Sequence, residues 1–216
     1  MQDAKPKLPA TPDPGRLSRI QPDLVTLSAG VRLVRIYRRA GRYPTLWNEF
    51  RYFGPAGARF DHHVTGPKGL PIEQARGIIY FALDGLTALA EVFQEARLVD
   101  RKNGQPWLAI AEVVNDLSLL NLTDVFCVRA GGSMKLVSGP KAHARNWSRG
   151  FYECYRDIHG LYYLSSLTNR PAVALYERAV AVNPFAMQPI YHRALDDALL
   201  IEPLRNACHE IGYDFL

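Results

Sequence analysis

Apolar and polar positions follow two rhythms along this chain. In VRLVRIY, residues 31–37, apolar and basic residues alternate with a period of two, which suits a strand with one face on a core. The run GIIYFAL, residues 77–83, is large and apolar throughout and reads as a buried strand. Beyond it the period becomes helical. Leu86, Leu89, Ala90 and Phe93 make an apolar stripe, and Asp84 stands where its carboxylate can accept a free backbone N–H as the helix cap. WLAIAEVV reads as a strand and KAHARNWSRGFYECYRDI as a helix ended by Gly160. LYYLSS and AVALYERA are two further strand-like segments. The closing PLRNACHEIG is a helix with Pro203 in its first turn and Gly212 past its end. Between the first two strands lie a long loop punctuated by Gly and Pro, a short strand at ARFDH, and a second loop through Gly66, Pro67, Gly69 and Pro71. There is no internal repeat and no parallel strand–helix–strand spacing. The pattern predicts an α+β fold in one domain, residues 23–216. Before it, residues 1–22 carry five prolines and few apolar residues, as expected for a poorly ordered arm.

With 216 residues at 48% hydrophobic content, such a domain can bury a sizeable core. The N-terminal residues lack the apolar stretch of a secretory signal, and Asp84 and Glu91 interrupt the most apolar run too early for a membrane span. Cys127, Cys154 and Cys208 are odd in number and without metal-ligand spacing, so they read as reduced thiols of a cytoplasmic protein. Charge is uneven: residues 1–60 hold 11 Lys and Arg against 4 Asp and Glu, although the whole chain is only +5. That segment would attract a nucleic acid, a pyrophosphate or an acidic protein, or it is a solvated basic face.

GPAGARFDHH, residues 54–63, concentrates the candidate chemistry. A zinc site needs three or four converging ligands, whereas Asp61, His62 and His63 are adjacent side chains that a strand would point to opposite faces. The turn also lacks the Gly-Lys-Ser/Thr ending of a phosphate-binding loop, and the chain has no Gly-x-Ser-x-Gly elbow. Arg59 remains, a planar fork of donors suited to phosphate or carboxylate.

Read in order, five groups of residues carry a family resemblance: Arg35; Gly57, Arg59 and Phe60; Tyr80 and Ala82; Ala88 and Glu91; and Gly160, Tyr163 and Ser165. Over about residues 30–205 the chain resembles the RES-domain toxins of Xre–RES toxin–antitoxin systems, most closely the ParT-type toxins. The resemblance implies an ADP-ribosyltransferase-like fold, a mixed β core with flanking helices. It also implies a bacterial type II toxin that uses NAD+ as co-substrate without a metal. The toxin cleaves the nicotinamide–ribose bond and transfers ADP-ribose to a protein acceptor, or alternatively degrades NAD+ by water or phosphate. The implied partner is an Xre-like antitoxin that blocks the NAD+ cleft; no membrane and no nucleic acid are expected of the toxin alone.

The chemistry asks for matching residue types. Bond cleavage passes through an oxocarbenium-like ribose that a carboxylate stabilises, phosphates want planar cationic donors, and nicotinamide wants an aromatic wall. Glu91, Arg35 and Ser165 are the catalytic candidates. Arg59, Tyr80, Phe60 and Tyr37 are the binding candidates, with Ser166 as the alternative serine. Periodicity alone makes Glu91 a surface glutamate on the side of Thr87 and Glu95, Arg35 a strand arginine and Tyr80 a core tyrosine. A competing reading, a non-catalytic nucleic-acid binder, would use the basic segment with Tyr37, Tyr43, Trp47, Tyr52 and Phe53 as stacking platforms, but no known nucleic-acid-binding motif accompanies them.

Overall fold

A computed structural model describes residues 7–216. In chain order, the short helix α1 (Pro14–Leu17) is followed by β1 (Leu24–Leu27), β2 (Arg32–Arg38), β3 (Arg51–Gly54), β4 (Ile72–Ala82) and α2 (Gly85–Phe93). Next come β5 (Leu98–Val99), β6 (Pro106–Glu112), β7 (Leu117–Asn121), and helices α3 (Phe126–Arg129), α4 (Lys135–Ser138) and α5 (Lys141–Cys154). The chain closes with β8 (Gly160–Leu164), β9 (Pro171–Tyr176), β10 (Tyr191–Ala194), α6 (Ile201–Ile211) and β11 (Asp214–Phe215).

One mixed sheet runs β1-β7-β8-β9-β4-β2-β6-β10, with β3 on the edge of β4; β5 and β11 form a separate parallel pair. Pairing in the large sheet is antiparallel except between β7 and β8, whose crossover contains α3, α4 and α5. That crossover corrects the expectation that no parallel unit exists: β7, its first strand, spans five residues, and two four-residue helices, α3 and α4, stand between it and α5. The α+β fold with a mixed β core and flanking helices is the one expected. The helix 141–158 expected from sequence stops at Cys154, where Tyr155 turns extended. No strand forms at ARFDH, where the Phe60 and His62 carbonyls accept from the side chains of Ser148 and Arg76 instead of from a neighbouring strand.

Strand alternation sorts the core onto the two sheet faces. Ile79 and Phe81 of β4 share one face with Leu33, Tyr37, Ala109 and Val173. Ile78 and Tyr80 pack on the other side, with Trp147 and Phe151 of α5 and with Tyr163. Further along that side, Val34, Ile36 and Ala82 meet Ala88, Leu89 and Phe93 of α2 and Leu204 of α6. Strands β2 and β4 share one register pair, Val34 opposite Ala82, while β3 pairs with β4 from Arg51 opposite Ile78. The two helical layers therefore flank a seam on one side of the sheet.

The proline-rich stretch is not a loose arm over residues 7–22. Leu8 and Leu17 are 6% and 1% exposed within the α5 cluster. Trp147 Nε1 donates to the Pro9 carbonyl at 2.8 Å, and the Tyr155 hydroxyl to the Leu17 carbonyl at 3.1 Å. Prolines suit such a segment, since it needs few backbone N–H partners. The remainder of the expected arm, residues 1–6, lies outside the described residues.

Candidate functional site

The seam brings Arg59, Glu91, Tyr163 and Ser165 together from three separate parts of the chain: the turn after β3, helix α2 and the end of β8. Glu91 sits on α2, whose first turn is capped by Asp84: its carboxylate accepts from Thr87 N at 2.9 Å. The expected cap is thus the observed one. The expected stripe is only part of the buried surface, since Thr87 is fully buried while Leu86 is half-exposed. The side of α2 that periodicity assigns to solvent is covered by the turn joining β8 to β9. Ser165 lies in that turn and donates its hydroxyl proton to Glu91 Oε1 at 2.7 Å. Ser166 is exposed, so the serine that meets the carboxylate is Ser165.

Arg59 reaches the seam from the turn after β3. Gly57 there has φ +85°, the left-handed backbone that glycine adopts without strain. Arg59 NH1 donates to the Gly139 carbonyl at 2.6 Å, while Nε and NH2 make no hydrogen bond among the described residues. Burial lowers its pKa, and the charges of Glu91 and Tyr163 oppose that shift. Tyr163 is buried, its pKa raised by desolvation and then by Glu91. The Tyr80 pKa is also raised well above the ordinary value, chiefly by burial, and its hydroxyl is buried without a partner among the described residues. A buried phenol with no protein partner keeps its proton available to a water or a ligand.

The last three residues of GPAGARFDHH, Asp61, His62 and His63, form a buried staple next to Arg59 in sequence. Asp61 accepts from Ala56 N at 2.6 Å and from Arg51 NH2 at 2.9 Å, and also bonds His63 Nδ1. Burial would raise the Asp61 pKa, but the partners His63, Arg51 and Ala56 bring it below the usual value. His62 packs between the rings of Tyr152 and Tyr176, 4.3 and 4.4 Å away. Its Nε2 stands 3.6 Å from Glu177 Oε2, an electrostatic contact too long for a hydrogen bond. Burial depresses the His62 pKa to about 4. Glu177 falls to about 2: its own burial acts the other way and is outweighed by His62, the Tyr152 hydroxyl and the Gly77 N–H. Among the described residues, no group of three or more His, Cys, Asp or Glu is placed to hold a metal ion.

Three candidates stand elsewhere. Arg35 has the parity of Leu33 and Tyr37, opposite the face that α2 covers. Its NH1 donates to the carbonyls of Leu46, Trp47 and Glu49 at 2.9, 2.9 and 3.3 Å, and burial lowers its pKa to about 10. It therefore anchors the β2–β3 loop, at a cleft of about 330 Å³ that it lines with Tyr37, Arg38, Tyr43 and Thr45 and that also reaches Val92 of α2. Tyr37 is buried, its hydroxyl 2.5 Å from His192 Nε2. Phe60, expected as a wall for a planar ring, is fully buried edge-on behind Tyr163 at 4.6 Å and offers no open face. Sequence reasoning passed over Thr87 and Thr168, whose hydroxyls lie 2.8 Å apart beside the Glu91–Ser165 contact. The signal was the i, i+4 spacing of Thr87 and Glu91 on one helix face.

Residues 32–196 match the family described as RES domain. One solved structure shares the fold: a chain of the M. tuberculosis MbcT–MbcA toxin–antitoxin complex, at 17% identity and a TM-score of 0.53, covering 84% of this chain and 92% of that one. No curated protein matches the chain. No helix among the described residues is long and apolar enough to cross a membrane.

Proposed function

The chain belongs to the RES-domain family, and we propose that it is the toxin of a bacterial type II toxin–antitoxin pair, acting on NAD+ in the cytoplasm. The observation that carries this reading is the Glu91–Ser165 contact facing Arg59 in one seam. Cleaving the nicotinamide–ribose bond leaves positive charge on the ribose, and a fixed carboxylate stabilises it. Ser165 holds one oxygen of Glu91, so the carboxylate needs little reorganisation when that charge develops. The open edge of the Arg59 fork suits a phosphate oxygen pair. Tyr80 and Tyr163, kept protonated by burial, serve as hydrogen-bond donors and ring surfaces, not as bases.

In the step proposed, the bond electrons leave with neutral nicotinamide. A nucleophile of a protein acceptor bonds to the ribose carbon and gives up its proton to solvent. This makes the chain a mono-ADP-ribosyltransferase; water or phosphate as acceptor would make it an NAD+-degrading enzyme. The partner is an Xre-like antitoxin seated over the same cleft. The structural relative comes from a toxin–antitoxin complex, which supports a partner of this kind.

Incubation with NAD+ labelled in the ADP-ribose, in the presence of cell lysate, tests the reading. Label on a protein band is the expected result. Free ADP-ribose or its phosphate would identify degradation, and unchanged NAD+ would sink the proposal.

A further inference from the structure

Thr87 is a fully buried polar residue on a helix face that periodicity assigns to solvent. Its hydroxyl donates to Asp84 Oδ2 at 2.7 Å. Asp84 as a carboxylate only accepts, so the proton between Thr87 and Thr168, 2.8 Å apart, belongs to Thr168. The bonds then run in one direction, from Arg170 N to Thr168 Oγ1 at 3.4 Å, on to Thr87 and on to the helix cap. Arg170 NH1 closes the circuit at Asp84 Oδ1, 3.4 Å away.

The same turn makes a second contact with α2, one helical turn further along. Ser165 Oγ accepts from Leu167 N at 3.1 Å and Thr168 N at 3.4 Å and donates to Glu91. Both its acceptor sites and its one proton are used, so its orientation follows the turn. Thr87 and Glu91, at i and i+4, thus face Thr168 and Ser165, at i and i−3, as two points of one clamp. Two contacts fix both position and rotation, whereas the Ser165 contact alone would let the turn pivot about it.

We propose that Thr87 and Thr168 are a positioning pair. Their hydroxyl bridge sets the β8–β9 turn against α2 so that Ser165 holds the Glu91 carboxylate at the reacting ribose. This rests on the NAD+-cleaving reading of the same site. Small displacements of a charged group are costly to a reaction even far from the bond that breaks.

The test is steady-state nicotinamide release by the full chain. Thr87→Val and Thr168→Val each delete one hydroxyl at nearly constant volume. Both are expected to lower kcat by about tenfold or more, with KM for NAD+ changed by less than about twofold. Thr87→Ser keeps the hydroxyl and restores most of the rate. In a Glu91→Gln background Thr87→Val adds no further loss, because its effect acts through that carboxylate. Thr168 lies on a half-exposed turn, so its valine variant answers the question if Thr87→Val fails to fold. Parent-like kcat in the folded valine variants, or a full additional loss in the Glu91→Gln background, overturns the positioning role while leaving NAD+ cleavage standing. A parent chain that releases no nicotinamide overturns both.

Discussion

At the scale of single residues, the charge of Glu91 and the shape of Arg59 can be separated experimentally. Glu91→Gln keeps Oε1 as an acceptor for Ser165 while removing the negative charge, so the fold should change little. NAD+ turnover is expected to fall at least about tenfold, on the scale of losing one preorganised electrostatic group; nicotinamide release measures it, and full activity would remove Glu91 from the mechanism. Arg59→Lys keeps the cation but loses the planar fork, and with it simultaneous contact with Gly139 and a phosphate. NAD+ affinity should weaken by about tenfold, roughly one charge-assisted hydrogen bond, in a calorimetric titration. His62 and Glu177 add a pH signature. The folded pKa of His62, about 4, lies below the 6.5 of the exposed side chain, so the unfolded chain binds the extra proton first. Its contribution to stability is complete above about 6.5 and is lost as pH falls towards 4. Glu177, depressed from 4.5 to about 2, adds a second loss below 4.5. Thermal melts should drop through both windows, and His62→Phe should flatten the upper one. An unchanged profile in that variant would assign the acid loss to other groups.

At the scale of elements, segment 7–22 gives the most direct test, because its composition and its packing point in opposite directions. Leu17 is 1% exposed among the residues of the α5 cluster, so Leu17→Ala should remove about 2–4 kcal/mol of stability. A urea midpoint unchanged by the substitution would mean that the segment does not hold its place. Helix α2 shows why Glu91 was ambiguous in the sequence. Its apolar stripe was legible, but two sides of the helix are covered, and the second is covered by a turn some 75 residues away that is rich in Ser, Thr and Asn. Polar residues against polar residues leave no hydrophobic period to read. Strands β1, β3 and β10 were missed for a related reason: each is four residues long, too short to establish an alternation.

At the scale of the whole molecule, the seam lies between two helical layers on one side of the sheet, and under the proposed function a partner would control the chain by filling it. An antitoxin seated over Arg59 would exclude NAD+, since two ligands of one pocket compete. Its affinity should fall as a non-cleavable NAD+ analogue is raised to saturation. An affinity indifferent to the analogue would place the inhibitor on a remote surface.

The sequence by itself determined the long elements and their order: the buried strand at 77–83, the capped helix after it, the closing helix with Gly212 in the left-handed conformation, and the α+β class. These rest on local periodicity and capping, which neighbouring residues supply to one another. The motif order also grouped Arg59, Glu91 and Ser165 with Arg35, and the fold brings the first three of these together. Tertiary structure alone decided which side of each element faced what. It turned Arg35 and Tyr37 to the opposite sheet face, buried Phe60 behind Tyr163 and folded Asp61, His62 and His63 into a staple. It also joined Thr87 to Thr168 across 81 positions of chain. Side-chain hydrogen bonds between distant segments have no period and no propensity. They exist only once the sheet has brought those segments within about 3 Å of each other.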